Sequence, residues 1–209
     1  MVDDFREILM NTMQSVVRMT FRLIVLMAIT GAMMTARGQT SSPTPTPQPA
    51  PAQTPAAPPP ANPADVATID SIIAALYVVI SAPAGMRNWD RFRSLFVPGA
   101  RLIPTRARQT GEVGARVLTV EDYVQRGGAL FEKEGFFERE VARRTEAFGN
   151  IAHLFSTYES RHAKDDAKPF QRGINSIQLM NDGKRWWVVT IFWQGETEKN
   201  PLPEKYLKD

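Results

Sequence analysis

The sequence predicts an α+β domain in which three helices precede a long, mostly antiparallel meander of strands. Three observations carry that expectation. Apolar residues recur at helical spacing in stretches between Val66 and Phe131, whereas everything after Gly135 reads as strand. Two short glycine turns, Gly149-Asn150 and Asp182-Gly183, each sit between β-branched and aromatic runs, the arrangement that marks a tight hairpin. Of the 209 residues, residues 1–63 differ in composition from the remainder, which leaves a length suited to one domain with one core.

The N-terminal segment reads as an export signal followed by a tether. Leu23 to Ala36 is an apolar stretch preceded by Arg18 and Arg22 and followed by Ala36-Arg37-Gly38, with small residues where cleavage would be decided. As a helix it would span about 21 Å, short of the roughly 30 Å hydrocarbon core. Residues 1–38 are therefore expected to be a signal peptide, which places the mature protein in the periplasm or outside the cell without stable membrane insertion. The alternative is a retained N-terminal anchor with the domain outside the cytoplasm. Residues 39–63 hold ten of the sixteen prolines, counted from Thr40, with Ala, Thr, Ser and Gln between them. Such a composition buries too little apolar surface to offset ordering entropy, so a disordered, locally extended linker is expected.

The folded part, residues 64–200 with a tail at 201–209, opens with Asn62-Pro63 as helix cap and first-turn proline. Val66, Ile69, Ile72, Ile73, Leu76, Tyr77 and Ile80 then keep helical spacing until Pro83 and Gly85 stop it. A second helix, Asn88 to Phe96, offers Trp89, Phe92, Leu95 and Phe96 to the same core, and a brief strand follows around Arg101 to Thr105. Thr119 with Asp122 makes a capping box for a third helix running to Lys133. Gly127-Gly128 inside it costs about 1 kcal/mol per residue against Ala, so either the helix bends there or something packs close.

Counting outward from Gly149-Asn150 pairs Phe148 with Ile151, Glu146 with His153, Arg144 with Phe155, Glu140 with Glu159 and Glu138 with Arg161. That face is laced with charge, while Val141, Thr145, Leu154, Ser156 and Tyr158 occupy the other. Counting from Asp182-Gly183 pairs Leu179 with Trp186, Ile177 with Val188, Asn175 with Thr190 and Gly173 with Phe192. The opposite face of the hairpin then carries Ile174, Ser176, Gln178, Met180, Trp187, Val189, Ile191 and Trp193. Both faces are apolar, so each needs cover: helices on one side and, on the other, a twin subunit seated on Trp187, Val189, Ile191 and Trp193. A homodimer is expected.

Composition narrows the partners. Residues 64–209 carry a net charge of only +2, and the seven arginines between Arg87 and Arg116 lack any groove-reading or base-stacking pattern, which points away from nucleic acid. No cysteine occurs, which removes disulfides, thiolate metal sites and a cysteine nucleophile. Phosphate loops, nucleophile elbows and dinucleotide fingerprints are missing from the sequence, so no cofactor is expected.

Helices followed by a meander, with Asp182-Gly-Lys-Arg-Trp-Trp-Val-Val189 opening the last strand, resemble the nuclear transport factor 2-like superfamily, which includes ketosteroid isomerases, dehydratases and SnoaL-like polyketide cyclases. Phe155-Ser-Thr-Tyr-Glu-Ser-Arg161 together with Arg172-Gly-Ile-Asn-Ser-Ile-Gln-Leu179 looks like a bacterial branch of it without an assigned reaction. The resemblance covers about Ala64 to Glu198. It implies a cystatin-like cone of bent sheet closed by helices, a pocket in its mouth and frequent dimers, and it does not imply catalysis, since many members only bind.

Candidate site residues follow from the counted register. Asn175 and Thr190 are either polar groups of a pocket or partners that satisfy each other in a dry core. His153 opposite Glu146 is either a general base oriented by a carboxylate or a surface ion pair. Glu159, facing Glu140, either has a raised pKa or is neutralised by Arg161 or Arg144. Trp89 and Tyr123 on the helices and Arg161 on the sheet complete the ligand-binding set, while Tyr77 reads as core. The two histidines make no metal site. Three functions fit: a binding domain for a small, partly apolar ligand; an acid/base isomerase, dehydratase or cyclase using Glu159 or His153; and a dimeric interaction module whose cone is filled.

Overall fold

The computed structural model describes residues 57–107 and 110–208, all within the unit Pro51–Asp209. The expected signal peptide, and the expected linker up to residue 56, lie outside the described residues. Among those described, no helix is long and apolar enough to cross a membrane.

The first expected helix is two. Helix α1 spans Pro63–Val66, capped by Asn62, whose side chain accepts from the amide of Ala64. Thr68 then adopts an extended backbone and begins α2, Ile69–Ile80, through a reciprocal capping box with Ser71. A β-branched cap with Ser three residues on satisfies two amides at once, which makes a fresh start here as favourable as continuation. Helix α2 buries Ile72, Ile73, Leu76, Tyr77 and Ile80. Arg87, a buried guanidinium, holds the last carbonyl of the helix and the loop after it, donating to the carbonyls of Ile80, Ala82, Pro83 and Gly85 at 2.7–2.9 Å.

Helix α3 is shorter than expected, Trp89–Arg93. Phe96 already belongs to strand β1, Phe96–Ala107, which is interrupted after Phe96 and resumes pairing at Arg101. A short strand β2, Val113–Ala115, follows. Helix α4, Val120–Phe131, starts at the expected Thr119–Asp122 capping box. Its glycines answer to close packing: a Cβ on Gly128 would touch the Trp89 indole at 3.7 Å, and one on Gly127 would crowd the Phe131 ring at 3.3 Å.

Strands β3 (Phe137–Phe148), β4 (Ile151–Arg161), β5 (Gln171–Asn181) and β6 (Trp186–Gly195) form the meander. The six-stranded sheet has the order β2-β1-β6-β5-β4-β3, antiparallel except where β1 lies parallel to β6. One face carries the helices and the core; we call it the inner face.

Two bulges revise the counted register. Between β3 and β4 the pairing runs as expected from Phe148↔Ile151 to Arg144↔Phe155 and on to Ala142↔Thr157. Val141 is then extra, so Glu140 meets Tyr158, Arg139 meets Glu159 and Glu138 meets Ser160. A bulge of one residue turns every later side chain to the other face, and Glu138 and Glu140 thereby leave the charged outer ladder for the inner one.

The last hairpin departs at its turn. Asp182 accepts from the amides of both Lys184 and Arg185 at 2.9 Å and from the Trp187 indole at 2.8 Å, which holds a four-residue loop with Asn181 opposite Trp186. A second bulge at Val189 follows, and from there Gln178 faces Thr190, Ile177 faces Ile191 and Asn175 faces Trp193. The pairing of Asn175 with Thr190 is therefore corrected: Asn175 is on the inner face as expected, whereas Thr190 is beside the exposed Gln178 on the outer face. The dimer face is corrected too, because Ile191 and Trp193 pack on the inner side against the core. Part of the outer face is covered by the chain itself. A 3-10 turn, Glu204–Tyr206, takes a hydrogen bond from Thr157 on the Tyr206 carbonyl, and the Phe155 and Tyr206 rings lie 5.5 Å apart.

Candidate functional site

The inner face is not filled. A cavity of about 370 Å³ lies between α2, α4 and the sheet, near the lower end of ordinary ligand pockets. Its walls are largely apolar: Leu76, Ile80, Phe92, Leu102, Leu118, Leu130, Phe131, Phe136, Ile177, Ile191 and Trp193. The polar lining is small and specific, comprising Tyr77 from α2, Tyr123 and Arg126 from α4, Glu138 from β3, Tyr158 from β4 and Asn175 from β5. Only Glu138 and Arg126 among these are charged types.

Glu138 enters the cavity because of the Val141 bulge. Its carboxylate accepts from the Ser160 hydroxyl at 2.8 Å and from the Asn175 side chain. Both donors are neutral. Burial among apolar walls pushes its pKa up to about 7, against the opposing pull of those two bonds. Desolvation dominates because no guanidinium or ammonium is close enough to favour the anion. The cavity tyrosines feel it: burial first, and the Glu138 charge second, raise the pKa of Tyr77, Tyr123 and Tyr158, so all three keep their hydroxyl protons.

A directed hydrogen-bond chain supports this wall. Asn175 Nδ2 donates to Tyr77 Oη at 3.1 Å, Tyr77 Oη and Ser156 Oγ are 2.6 Å apart, and Ser156 Oγ donates to Glu140 Oε1 at 2.5 Å. Since the Ser156 proton is committed to Glu140, Tyr77 must be the donor to Ser156. That leaves Asn175 the donor to Tyr77, and its amide is thereby oriented with nitrogen toward both Tyr77 and Glu138. Glu140 ends the chain in an ion pair with Arg143, 3.5 Å away. Asn175 thus lines the cavity and finds its partners in Tyr77 and Glu138, not in Thr190.

The other expected site residues are dispersed. Tyr123 lines the cavity. Trp89 stands one layer behind it, stacked on Phe131 and edge-on to Phe92. Thr190 faces outward. His153 is also on the outer face, its Nε2 2.9 Å from Ser176 Oγ and its ring edge-on to Phe155. Glu159 is buried but neutralised: burial would raise its pKa, and hydrogen bonds from Arg161 and Arg139 outweigh burial and hold it below the usual value. Arg161 donates to Glu159 at 2.5 Å and to the Asp166 carbonyl at 3.0 Å, and it takes no part in the cavity. Arg144, the other expected partner, instead donates to the carbonyls of Lys205 and Lys208. Among the described residues no three His, Asp or Glu side chains converge on a point that would hold a metal ion.

Sequence reasoning missed Glu138, Arg126 and the cavity role of Tyr158. Tyr158 and Ser156 had been placed on the uncharged face, which is the inner one. The bulge at Val141 is what brings Glu138 to them.

No protein-family model matches the chain, and no curated protein is similar to it. Similar solved structures include a protein of unknown function with a cystatin-like fold from Nostoc punctiforme, 10% identical over 62% of this chain and 90% of that one, with a TM-score of 0.48. A nuclear transport factor 2-like protein of unknown function from Methylobacillus flagellatus is 13% identical over 62% of this chain and 95% of that one, with a TM-score of 0.41. A provisionally assigned ketosteroid isomerase from Parabacteroides distasonis is 11% identical over 63% and 91%, with a TM-score of 0.43. Each is similar in its layout of helices and sheet, and the reading of the cavity rests on its own residues.

Proposed function

We propose that the cavity binds a small, partly apolar ligand and that Glu138 exchanges a proton with it, as an isomerase, dehydratase or cyclase of acid/base type would require. The observation that carries this reading is a carboxyl group enclosed by apolar walls and neutral donors, with its pKa pushed up to about 7. Near neutral pH such a group is present in both forms, so it can accept a proton from a carbon acid and return it elsewhere on the same molecule. Tyr123 and Tyr158 line the same space and their hydroxyls remain protonated, which suits them to donate to an oxygen that gains negative charge. In this reading Glu138, rather than the candidates Glu159 and His153, carries the proton.

Exchange of the α-protons of 1-tetralone for deuterium, followed by NMR in D2O, tests the chemistry. The wild type is expected to accelerate exchange and Glu138→Gln to lose at least about 100-fold of that acceleration, the usual worth of a placed acid/base. Binding of 1-tetralone without accelerated exchange would leave a carrier of small ligands, the reading favoured by the small number of polar groups in the walls.

Export belongs to the same proposal, since the apolar stretch Leu23 to Ala36 ends in small residues; N-terminal sequencing of protein from the envelope fraction checks cleavage near residue 38. A homodimer joined through the outer face is also proposed, now with Phe192, Phe148 and Ile151 as its exposed apolar residues. Phe192→Arg should lower the mass seen by light scattering, and a wild type already monomeric at micromolar concentration would refute it.

A further inference from the structure

The apolar stripe of α4 contains one residue that its helical position does not explain. Tyr123, Gly127, Leu130 and Phe131 recur at the three- and four-residue spacing of a buried face and line the cavity. Arg126 lies at the edge of this stripe and lines the cavity with them, although the residue itself is exposed. Leu130, one turn further on, is 39% exposed. Together they place the cavity's opening along that edge of α4, with a guanidinium on its rim.

The only group that feels this charge within the described residues is Asp122, whose pKa it helps to lower. Among the described residues Arg126 makes no hydrogen bond or ion pair, and the acid nearest along its helix, Asp122, is engaged in the capping box, where Oδ2 accepts from the Thr119 amide and hydroxyl at 2.9 and 2.8 Å. Deeper in, the cavity offers Glu138 and neutral hydroxyls. A ligand bearing an anion is therefore repelled from the interior by Glu138 and attracted at the mouth by Arg126, which leaves it a single orientation.

We propose that Arg126 makes the cavity selective for small apolar carboxylates, bound with the carboxylate at the rim on Arg126 and the apolar body inside, its reacting carbon toward Glu138. This rests on the ligand-binding reading above and names the substrate class. An amine is disfavoured by the same rim charge, and a neutral molecule gains nothing from it. An Arg fork pairs with a carboxylate through two parallel bonds, which adds orientation to attraction.

Isothermal titration with 4-phenylbutyrate, 4-phenylbutan-1-ol and 4-phenylbutylamine separates the possibilities. The wild type is expected to bind the acid about tenfold more tightly than the alcohol, while the amine, repelled at the rim and attracted by Glu138 inside, should bind better to Arg126→Gln than to the wild type. Arg126→Gln should lower the acid's affinity about tenfold relative to the alcohol's, while Arg126→Lys, which keeps the charge and loses the two-bond pairing, should fall between Gln and the wild type. Acid and alcohol binding equally to the wild type, or a preference that survives in Arg126→Gln, overturns the role of Arg126 and leaves the cavity as a ligand site. Failure of all three to bind the wild type overturns the ligand-binding reading and this one with it.

Discussion

Glu138 and Glu159 stand on adjacent rungs of one ladder, Glu138 across from Ser160 and Glu159 across from Arg139, and burial acts on both, yet their pKa values move in opposite directions. Glu159 points outward, where two guanidinium groups grip it and keep it ionised. Glu138 points inward, where only a serine and an asparagine reach it and the pKa rises to about 7. The chain supplies the same side chain twice, and the face of the sheet decides whether it becomes a structural anion or a proton carrier.

The two also give stability opposite dependences on pH. The pKa of Glu159 is lowered by folding, so its contribution is present above the unfolded value and is lost as pH falls through the folded one. The pKa of Glu138 is raised from 4.5 to about 7, so the folded state holds that proton more tightly than the unfolded chain. Its contribution is full below about 4.5 and is lost as pH rises toward 7.

The largest expected effect comes from breaking the outer pair. Arg161→Met leaves Glu159 with Arg139 alone, whose side chain is 69% exposed, and should cost about 3 kcal/mol in urea unfolding at pH 7. The loss should shrink on acidification as Glu159 takes up a proton; a loss that stays constant to pH 3 would assign it to packing instead.

Removing the inner acid acts with the other sign. Glu138→Gln should be more stable than the wild type by about 2 kcal/mol at pH 8 and show no gain at pH 5, because only the ionised form is penalised by burial. Equal gains at both pH values would mean that the carboxyl is not desolvated.

How much of this contrast was legible in the sequence depends on where a strand stops being regular. The capping box at Thr119, the Gly149-Asn150 turn and the pairing out to Arg144 follow from local chemistry, and they were read correctly. Asn175 was assigned to the inner face correctly, though by a register wrong in its turn and in its partner. The neutralisation of Glu159 by Arg161 was among the expected alternatives. Glu138 was not, because Val141 is a β-branched residue that suits a regular strand as well as a bulge, and the same holds for Val189, whose bulge turns Thr190 outward. Asp182 misled for a different reason: its side chain captures two amides beyond Gly183 and an indole, so Asp-Gly here closes a four-residue loop. Arg126 was invisible as a site residue because an arginine on a helix is ordinarily solvated surface.

Smaller changes sharpen the contrast. Tyr77→Phe removes the hydroxyl that receives Asn175 and donates to Ser156, with an expected loss of about 1–2 kcal/mol in thermal unfolding. A neutral result would mean that water replaces it. Ser160→Ala should leave stability near that of the wild type and move the Glu138 pKa further up by less than about one unit, since a donor to the ionised form is lost. A downward shift would show that Ser160 does not stabilise the anion.

Whether a carboxyl within the cavity titrates near neutrality is read from carbon-detected NMR of the glutamate side-chain carboxyls between pH 3 and pH 9. One carboxyl should show a midpoint near pH 7 that disappears in Glu138→Gln, while Glu159 titrates below the ordinary range. A spectrum in which every glutamate, Glu138 included, titrates below pH 5.5 would contradict that expectation.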